Sequence, residues 1–414
     1  MLMSLLRVPN TWEQTRGGLM PTNFNASAGA TLGVEVEFGI VDRETWALSN
    51  SASDLLADLD LARPEFQIPG SPHAKHELYE SQLEVVTGIC DTAGQAHDEL
   101  ALVLNAVQTL AQAHDLALFC AGTHPFSHAS DQRVSPDPRY HKLLDNLPQA
   151  REFLIFGIHY HLGVESGPRA IQLVNALSHY LPHLLALSAS SPFVDGRDSG
   201  MASRRSKIFE TLPRTGVPPQ WDDWQHFSDV YDILTSTRRV QSVRDLWWDV
   251  RPHPDFGTVE IRICDGMNSL EDIAACAALA HSLVTMLNAK LDDKWLLPPL
   301  DRVLLQENKD EAGTKGMEAD IHWWDNGRIF VQSIKGAIDD LLVELEPFAN
   351  TIGCAEQFAH LGSILNHGPS YIRQRELVAQ GASPEELVAF LASQLHAYPQ
   401  NNDQYTPDTS IISS

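Results

Sequence analysis

Apolar and polar residues alternate in four separate stretches of the chain, and this pattern predicts β-strands. The stretches are Leu32–Ile40, Ser81–Thr87, Phe156–Val164 and Gly257–Ile263. Successive side chains of a strand point to opposite faces of a sheet, so each stretch has one apolar and one polar face. The polar positions hold Glu35, Glu37, Glu84, His159, His161, Glu260 and Arg262. If the four strands share one sheet, these side chains collect on its second face.

Carboxylates gathered on one face of a sheet repel one another unless cations lie among them. Glu35 and Glu37 taken alone could be solvated residues of a half-exposed strand. Glutamate is disfavoured in strands, however, and three other strands repeat the arrangement. The pattern therefore predicts a surface that binds several metal ions and handles anions.

Helical spacing of apolar residues appears between and after these strands. It predicts helices over Ala93–His114, Ile171–Ser190, Asp272–Leu291, Phe330–Pro347 and Pro384–His396, and Leu116–Ala121 is typical of a buried strand. Regular βαβ spacing is not prominent. We expect an α+β protein with a mainly antiparallel sheet, helices on one face and the other face open to a ligand.

The polar strand positions extend from Glu35 to Arg262, which favours one catalytic unit over two independent domains. We predict an irregular lead-in over residues 1–30, a single catalytic domain with a C-terminal helical part over residues 31–397, and a disordered tail over residues 398–414. The segment Ser191–Gln220 is rich in Gly, Pro, Ser and Arg and lacks periodicity, so we expect it to be a functional loop and a candidate lid.

Net charge, cysteine content and the distribution of apolar runs limit the partners and the cellular compartment that we expect. The formal net charge of −25 argues against a nucleic acid or an anionic membrane. Five scattered cysteines without a CxxC motif suggest neither a disulfide framework nor a thiolate zinc site, and they fit a reducing cytoplasm. The apolar run in MLMSLLRVPN is short for a signal peptide, and Ala274–Leu287 is short for a membrane span. We expect a cytoplasmic protein with small-molecule substrates, and the apolar helices are compatible with a homodimer.

Several candidate residues keep a structural alternative at this point. Glu77 and Glu80 both precede the second strand, and either could be a solvated edge residue. Two histidines on one strand face can bind a metal, but His161 is more readily explained than His159 as a core residue that donates to a carbonyl.

Anion contacts are predicted at arginines. Glu260 and Arg262 could form a structural salt bridge, or a metal ligand beside an anion clamp. Arginines of irregular segments are further candidates: Arg139, Arg204, Arg205 and Arg251. The motifs GxxxxGK[ST], GxGxxG, HExxH and GxSxG do not occur, so a nucleotide would bind through metals and arginines.

Six segments together resemble the glutamate–cysteine ligase type 2 family, a group of carboxylate–amine ligases related to bacterial γ-glutamylcysteine synthetase. They are GVEVEFGIVDRET, ESQLEVVTGICD, AGTHPF, FGIHYHLGV, LPHLLALSASSPFVDGRDSGMASRRS and WWDVRPHPDFGTVEIRICD. The match runs in order from about Gly33 to Asp265 and continues weakly through QENKDEAGTKG.

The resemblance implies a glutamine-synthetase-like fold, in which the concave face of a curved sheet holds ATP and Mg²⁺, or Mn²⁺. It implies ATP-dependent joining of a carboxylate to an amine through an acyl phosphate, with weak activity toward glutamate and cysteine. By motif position it implies metal ligands at Glu35, Glu37, Glu77, Glu84, His159 and Glu260, and catalytic arginines at Arg262 and Arg205. We further predict that Arg251, Arg139 and His161 bind the cofactor. Glu77 is thereby preferred to Glu80, and Lys315 stands near a position where the family has an arginine.

Two alternatives remain at the level of sequence. One is a hydrolase with a two-metal centre built from His159, His161 and the glutamates. The other is a ligase that joins a different acid and amine. The full set of candidate ligands disfavours a non-catalytic binding protein on the same scaffold.

Overall fold

A computed structural model describes residues 22–395, apart from residues 28 and 326. The strands are β1 (Leu32–Asp42), β2 (His73–His76), β3 (Gln82–Val86), β4 (Leu116–Phe119), β5 (Gly157–Gly163), β6 (Phe193–Val194), β7 (Arg197–Asp198), β8 (Val250–His253), β9 (Thr258–Asp265), β10 (Asp320–Asp325) and β11 (Arg328–Ser333).

Helices fill most of the remaining chain. They are α1 (Ala52–Ala62), α2 (Ala93–Ala113), α3 (Pro138–Asn146), α4 (Gly167–Leu177), α5 (Leu181–Ser188), α6 (Arg204–Phe209), α7 (Trp224–Ser236), α8 (Leu270–Asp292), α9 (Arg302–Lys315), α10 (Ile334–Thr351), α11 (Ala355–Ala359), α12 (Leu361–His367), α13 (Ser370–Ala379) and α14 (Pro384–Ser393).

The four strands predicted from alternation lie in one antiparallel sheet, as expected. Its order is β2-β3-β1-β5-β9-β8, and β4 pairs with the last residues of β1. The register places three polar pairs directly opposite each other across neighbouring strands: Glu37 with Glu84, Glu35 with His159, and His161 with Glu260. Opposed residues on one face have Cβ atoms about 5 Å apart, so the register itself assembles the polar face.

The apolar face of the sheet packs against α2 and α8. Val36, Phe38, Ile158 and Ile261 are fully buried there. The α8 helix has 23 residues, more than the sequence pattern indicated, and is long and apolar enough to cross a membrane. Since 89% of its apolar window is buried within the protein, α8 has the surroundings of a core helix.

Two predicted helices were wrong in extent. Ile171–Ser190 is divided into α4 and α5, and Pro182 lies in the first turn of α5, where a missing N–H is tolerated. The N-terminal part of Phe330–Pro347 belongs to β11, because the run Ile329-Phe330-Val331 pairs with β10, and α10 begins only at Ile334.

The segment Ser191–Gln220 was predicted to lack regular structure, and this was also wrong. It contains the β6–β7 hairpin and the α6 helix, elements too short to give a periodic signal. Ser203 caps α6 by accepting from the Ser206 N–H. This helix carries Arg205 to the sheet.

The described part of the lead-in has neither helix nor strand, but it is docked on the sheet. The Asn25 N–H donates to the Pro254 carbonyl at 2.9 Å, and the Ser27 N–H donates to the Val164 carbonyl at 2.9 Å. The lead-in thus supports the turn between β8 and β9. Residues 1–21 and the predicted disordered tail lie outside the described residues.

Candidate active site

The polar face of the sheet is the floor of a cleft of about 400 Å³. Eleven of the predicted site residues line this cleft: Glu35, Glu37, Glu77, Glu84, Arg139, His159, His161, Arg205, Arg251, Glu260 and Arg262. Arg204, the remaining candidate arginine of the sequence analysis, does not line the cleft. Glu80 does not line it, because its carboxylate accepts from the N–H and hydroxyl of Ser53 at the start of α1. The structure brings the predicted residues together, and their chemical roles stay predictions.

Two carboxylates and an imidazole form the tightest potential ligand set on the floor. One ligand atom each from Glu35, Glu84 and His159 lies within 4.8 Å of the others. Glu35 Oε2 is 3.3 Å from His159 Nδ1, and the Nε2 atoms of His159 and His161 are buried without a hydrogen-bond partner. Mg²⁺ and Mn²⁺ prefer carboxylate oxygens and accept a single imidazole among them, so this donor set fits either ion.

The charges of these three groups favour a cation between them. Burial and the Arg262 guanidinium lower the pKa of His159 to about 3, so its imidazole is neutral and keeps a lone pair. Burial, together with repulsion from Glu35, raises the pKa of Glu84 well above its usual value. Burial alone would raise the pKa of Glu35 too, but hydrogen bonds with His159 and His161 hold it well below its usual value.

Lys75 supplies a positive charge at this cluster and was missed by the sequence analysis. Its Nζ lies 3.2 Å from Glu84 and 3.9 Å from Glu35. The register pairs Lys75 directly with Glu84. Lys75 stands two residues before Glu77, a spacing that places both side chains on the same face of an extended segment, but β2 has four residues, too few for alternation to be recognised.

Glu37 and Glu77 form a second acidic pair beside this cluster. Glu37 Oε2 accepts from the Gly157 N–H at 2.6 Å, and Glu77 Oε2 accepts from the Tyr140 hydroxyl at 2.5 Å. Burial and the nearby Glu77 raise the pKa of Glu37 to about 8. A cation bound here would relieve the repulsion that raises this pKa.

Glu260 is paired with two arginines. Arg251 donates two hydrogen bonds to the Glu260 carboxylate, from Nε to Oε2 at 2.7 Å and from Nη2 to Oε1 at 3.0 Å. Arg262 Nη1 also donates to Glu260 Oε1. Burial opposes ionisation, but these two guanidinium groups hold the pKa of Glu260 well below its usual value. Arg251 Nη1 donates further to the carbonyls of Val243 and Leu246, so the guanidinium is fixed against Glu260, and its binding of a cofactor stays a prediction.

Arg205 lies in a socket whose wall is a glycine. A Cβ added at Gly157 would come within 2.1 Å of Arg205 Nη2. The guanidinium donates to the carbonyls of Arg262 and Ile263 at 3.3 Å each, where β9 carries an irregularity opposite β5. A β-bulge of this kind redirects backbone groups toward one face of a sheet.

A buried carboxylate fixes the segment that carries Arg205. Asp265 has no exposed surface and accepts from the hydroxyls of Ser191 at 2.6 Å and Ser203 at 2.8 Å. Ser191 Oγ in turn accepts from the Arg205 N–H at 3.0 Å. Asp265 therefore positions Arg205 through two serines.

Arg139 and Lys315 lie outside this floor. Arg139 is exposed on α3 at the edge of the cleft, with its guanidinium 5.6 Å from the centre of the Tyr140 ring. Lys315 is exposed, pairs with Glu311 on its own helix and does not line the cleft. Its replacement of the family's arginine stays a prediction.

Comparison with known proteins gives a family for the chain. The family model of glutamate–cysteine ligase family 2 matches residues 31–392. A relative from Frankia casuarinae named "Putative glutamate--cysteine ligase 2-1" is 41% identical over 358 residues, covering 86% of this chain and 92% of the relative. A similarly named relative from Thermobifida fusca is 40% identical over 380 residues, covering 91% and 94%.

Solved structures with a similar backbone are ligases. The glutamate–cysteine ligase of Francisella tularensis, in complex with AMP, has a TM-score of 0.63 at 14% identity and covers 91% of both chains. A bifunctional glutathione synthetase from Pasteurella multocida has a TM-score of 0.60 at 15% identity, covering 88% of this chain and 52% of that one. The predicted glutamine-synthetase-like α+β fold is confirmed. With its sequence matched from residue 31 to residue 392, the chain belongs to glutamate–cysteine ligase family 2.

Proposed function

We propose that this protein is an ATP-dependent carboxylate–amine ligase that activates an acid as its acyl phosphate and then transfers the acyl group to an amine. Membership of a ligase family supports the reaction class. The observation that carries the mechanism is the convergence, on one sheet face, of the Glu35–Glu84–His159 set with Arg262 and Arg205.

Glu35, Glu84 and His159 would hold a divalent cation, with Glu37 and Glu77 beside them. When bound, Mg²⁺ or Mn²⁺ supplies charge neutralisation for the ATP phosphates. The neutral imidazole of His159 and the unpartnered Nε2 atoms of both histidines support this assignment. Whether Glu260 also binds a metal stays a prediction, since both of its oxygens are engaged by arginines.

In the first step a carboxylate oxygen of the acid bonds to the γ-phosphorus of ATP, and the bond between that phosphorus and the bridging oxygen breaks, which releases ADP. Arg262 and Arg205 stabilise the charge on the transferred phosphoryl group. Glu260 orients Arg262, and the Gly157 socket orients Arg205.

In the second step the amine nitrogen bonds to the acyl carbon, the carbon–oxygen bond to phosphate breaks, and the amine loses a proton. The acyl phosphate must be kept from water until the amine arrives. Phe209, Leu212 and Trp247 line the cleft beside the arginines and would exclude water there. Phe209 and Leu212 belong to the predicted lid segment Ser191–Gln220, and closure of that segment is part of this proposal.

The nucleotide would lie along β5 with its base at the His161 end. His253 and Phe256 stack there with ring centres 4.2 Å apart, and Phe256 keeps 49% of its surface exposed. Arg205 contacts the opposite end of the strand at Gly157, four residues or roughly 13 Å away at about 3.3 Å per residue. This orientation directs the γ-phosphate toward Arg205 and Arg262.

The two-metal hydrolase has less support. The closest ligand set in the described residues contains a single imidazole, and His161 Nδ1 instead contacts the Thr258 hydroxyl at 3.1 Å. A hard cation among carboxylates fits this arrangement better than a zinc pair does.

A screen of acids and amines tests the proposal. Purified protein with ATP and Mg²⁺ should release ADP and phosphate only when an acid and an amine are both present, with weak turnover of glutamate plus cysteine. ADP release that needs neither substrate would overturn the proposal. Zinc that is retained through purification, combined with no affinity for nucleotide, would favour the hydrolase.

A further inference from the structure

The cleft has two unlike sides. Its floor is the charged sheet face, whereas the wall above one end is apolar and consists of Leu78, Leu143, Phe153, Ile155, Leu212 and Trp247. These residues belong to a hydrophobic cluster separate from the main core, to which Phe209 and Leu147 also pack. We name the six residues the apolar wall.

The apolar wall stands at the end of the cleft where the chemistry is proposed. The ring of Phe209, which packs on the same cluster, has its centre 5.7 Å from Arg205 Cζ and 6.0 Å from Arg262 Cζ. Leu78 follows Glu77 in sequence, and Ile155 lies two residues before Gly157. The wall therefore borders the place of the acyl group, at the opposite end from His253 and Phe256.

The apolar wall is mostly buried but reaches the surface of the cleft. Phe153, Ile155 and Leu212 keep 7%, 8% and 5% of their surface exposed, and each lines the cleft. Leu143 on α3 is half-buried. Apolar atoms that line a cleft contribute binding energy only to a ligand that covers them with apolar surface of its own.

Neither glutamate nor cysteine is such a ligand. Both are small amino acids, so their ammonium and carboxylate groups lie close to all their other atoms. Placing these charges against aromatic and aliphatic side chains has an unfavourable desolvation free energy. Arg205 donates to two carbonyls and Arg262 donates to Glu260, although the Nε atom of each is buried without a hydrogen-bond partner, and Arg139 lies at the exposed edge.

We propose that one of the two joined substrates carries an apolar body, aromatic or branched aliphatic, which packs on the apolar wall. The inference rests on the proposed ligase function and names its substrate class. It makes this protein a ligase with a preference for apolar acids or amines over glutamate and cysteine.

The test is ADP release by the full-length protein with ATP, Mg²⁺ and matched substrate pairs. One arm varies the acid (3-phenylpropionate or isocaproate against glutarate and L-glutamate), and the other varies the amine (phenethylamine or isoamylamine against ethanolamine and L-cysteine). We expect an apolar member of at least one arm to exceed its polar partners about 10-fold or more in kcat/KM, and the arm identifies which substrate meets the wall. Equal or better turnover of the polar partners in both arms would overturn the inference.

Two leucines of the same cluster provide the variant and its control. Leu143 lines the cleft and Leu147 does not, although both are half-buried and pack on the same cluster. Leu143→Asn should lower kcat/KM for the apolar substrate about 10-fold, whereas Leu147→Asn should leave it unchanged. Calorimetric affinity for Mg·ADP should be equal in both variants and in the wild type.

Two other outcomes distinguish a failure of the apolar wall from a failure of the proposed ligase function. Equal effects of the two substitutions on the apolar preference would overturn the role of the wall. Absence of both Mg·ADP binding and turnover in the wild-type protein would overturn the ligase function itself.

Discussion

At the scale of single residues, the charge of each floor carboxylate is set by its burial and by the charged groups around it. Glu260 faces Arg251 across β8 and β9, and it is held as an anion. Glu37 faces Glu84 across β1 and β3, and burial raises the pKa of both carboxyl groups. The negative charge of Glu260 is therefore balanced by arginine, whereas the Glu37–Glu84 pair needs cations to balance its charge.

Substituting Glu37 and Glu260 should therefore have different effects on stability. Glu37→Gln should abolish ADP release and leave the free energy of unfolding nearly unchanged, because Glu37 is paired with another acid. Glu260→Gln should abolish activity and also cost about 3 kcal/mol, since Arg251 and Arg262 would be left buried without their anion. Urea unfolding followed by circular dichroism measures the difference, and equal stability of the two variants would refute the assignment.

The glycine at the end of β5 is a second residue-scale determinant. Gly157→Ala should displace the Arg205 guanidinium, which an added Cβ would meet at 2.1 Å, and should lower kcat about 100-fold with a smaller change in ADP affinity. Gly362→Ala is the control, because nothing lies within 4 Å of its added Cβ on α12. Wild-type kcat in the Gly157 variant would remove Arg205 from the mechanism.

At the scale of elements, the β8–β9 hairpin connects the lead-in to the end of the cleft where we propose that the nucleotide base binds. Gly257 has φ +67, and a Cβ there would come within 1.6 Å of the Asn25 carbonyl oxygen, so only glycine allows the lead-in to dock. The same turn presents Phe256. An element predicted as irregular is thus part of the support of the site.

Phe256→Ala should weaken Mg·ADP binding about 10-fold, the loss expected from one base-stacking contact, and leave binding of inorganic triphosphate unchanged. Phe330→Ala on β11 is a matched control, since Phe330 is also partly exposed, at 38%, and does not line the cleft. Isothermal calorimetry measures both ligands. Equal losses for ADP and triphosphate would place the base elsewhere.

The C-terminal helices are tied to α8 by an ion pair that depends on pH. His360 Nε2 lies 2.9 Å from Asp272 Oδ1, and Arg373 donates to Asp272 Oδ2 at 2.9 Å. The Asp272 carboxylate, helped by Glu271 and opposed by burial and Arg373, raises the pKa of His360. The charged imidazole is therefore favoured in the folded state.

A raised pKa gives stability that is complete below the ordinary histidine pKa and is lost as pH rises through the folded value. His360→Gln should thus lower Tm more at pH 5.5 than at pH 8.5. Thermal melts at both values measure this difference. A larger loss at pH 8.5 would contradict the ion pair.

Strands and helices were predicted correctly where the pattern of apolar and polar residues extends over many positions. They were missed or misplaced where contacts between distant segments determine the structure. The β1, β5 and β9 strands are long enough to show period-two alternation. The β2 strand has four residues, and β8 contains Pro252, so neither sequence shows an alternation long enough to predict a strand. The division of α4 from α5 depends on packing that no local pattern encodes.

At the scale of the whole molecule, the floor of the site could be predicted and its walls could not. Floor residues lie on strands, so alternation fixes their common face. The apolar wall and the Arg205 socket combine Leu143, Leu212, Trp247 and Gly157 from distant segments, and only the folded chain brings them together. The domain limits, the cytoplasmic location and the homodimer stay predictions.

The central claim is that an acid is activated by phosphoryl transfer from ATP within this cleft. Its most direct test is oxygen transfer, with a turned-over acid labelled with ¹⁸O in its carboxylate and the released phosphate analysed by mass spectrometry. An acyl phosphate requires one ¹⁸O atom to pass from the acid to each phosphate formed. Unlabelled phosphate, or release of AMP and pyrophosphate, would contradict the mechanism.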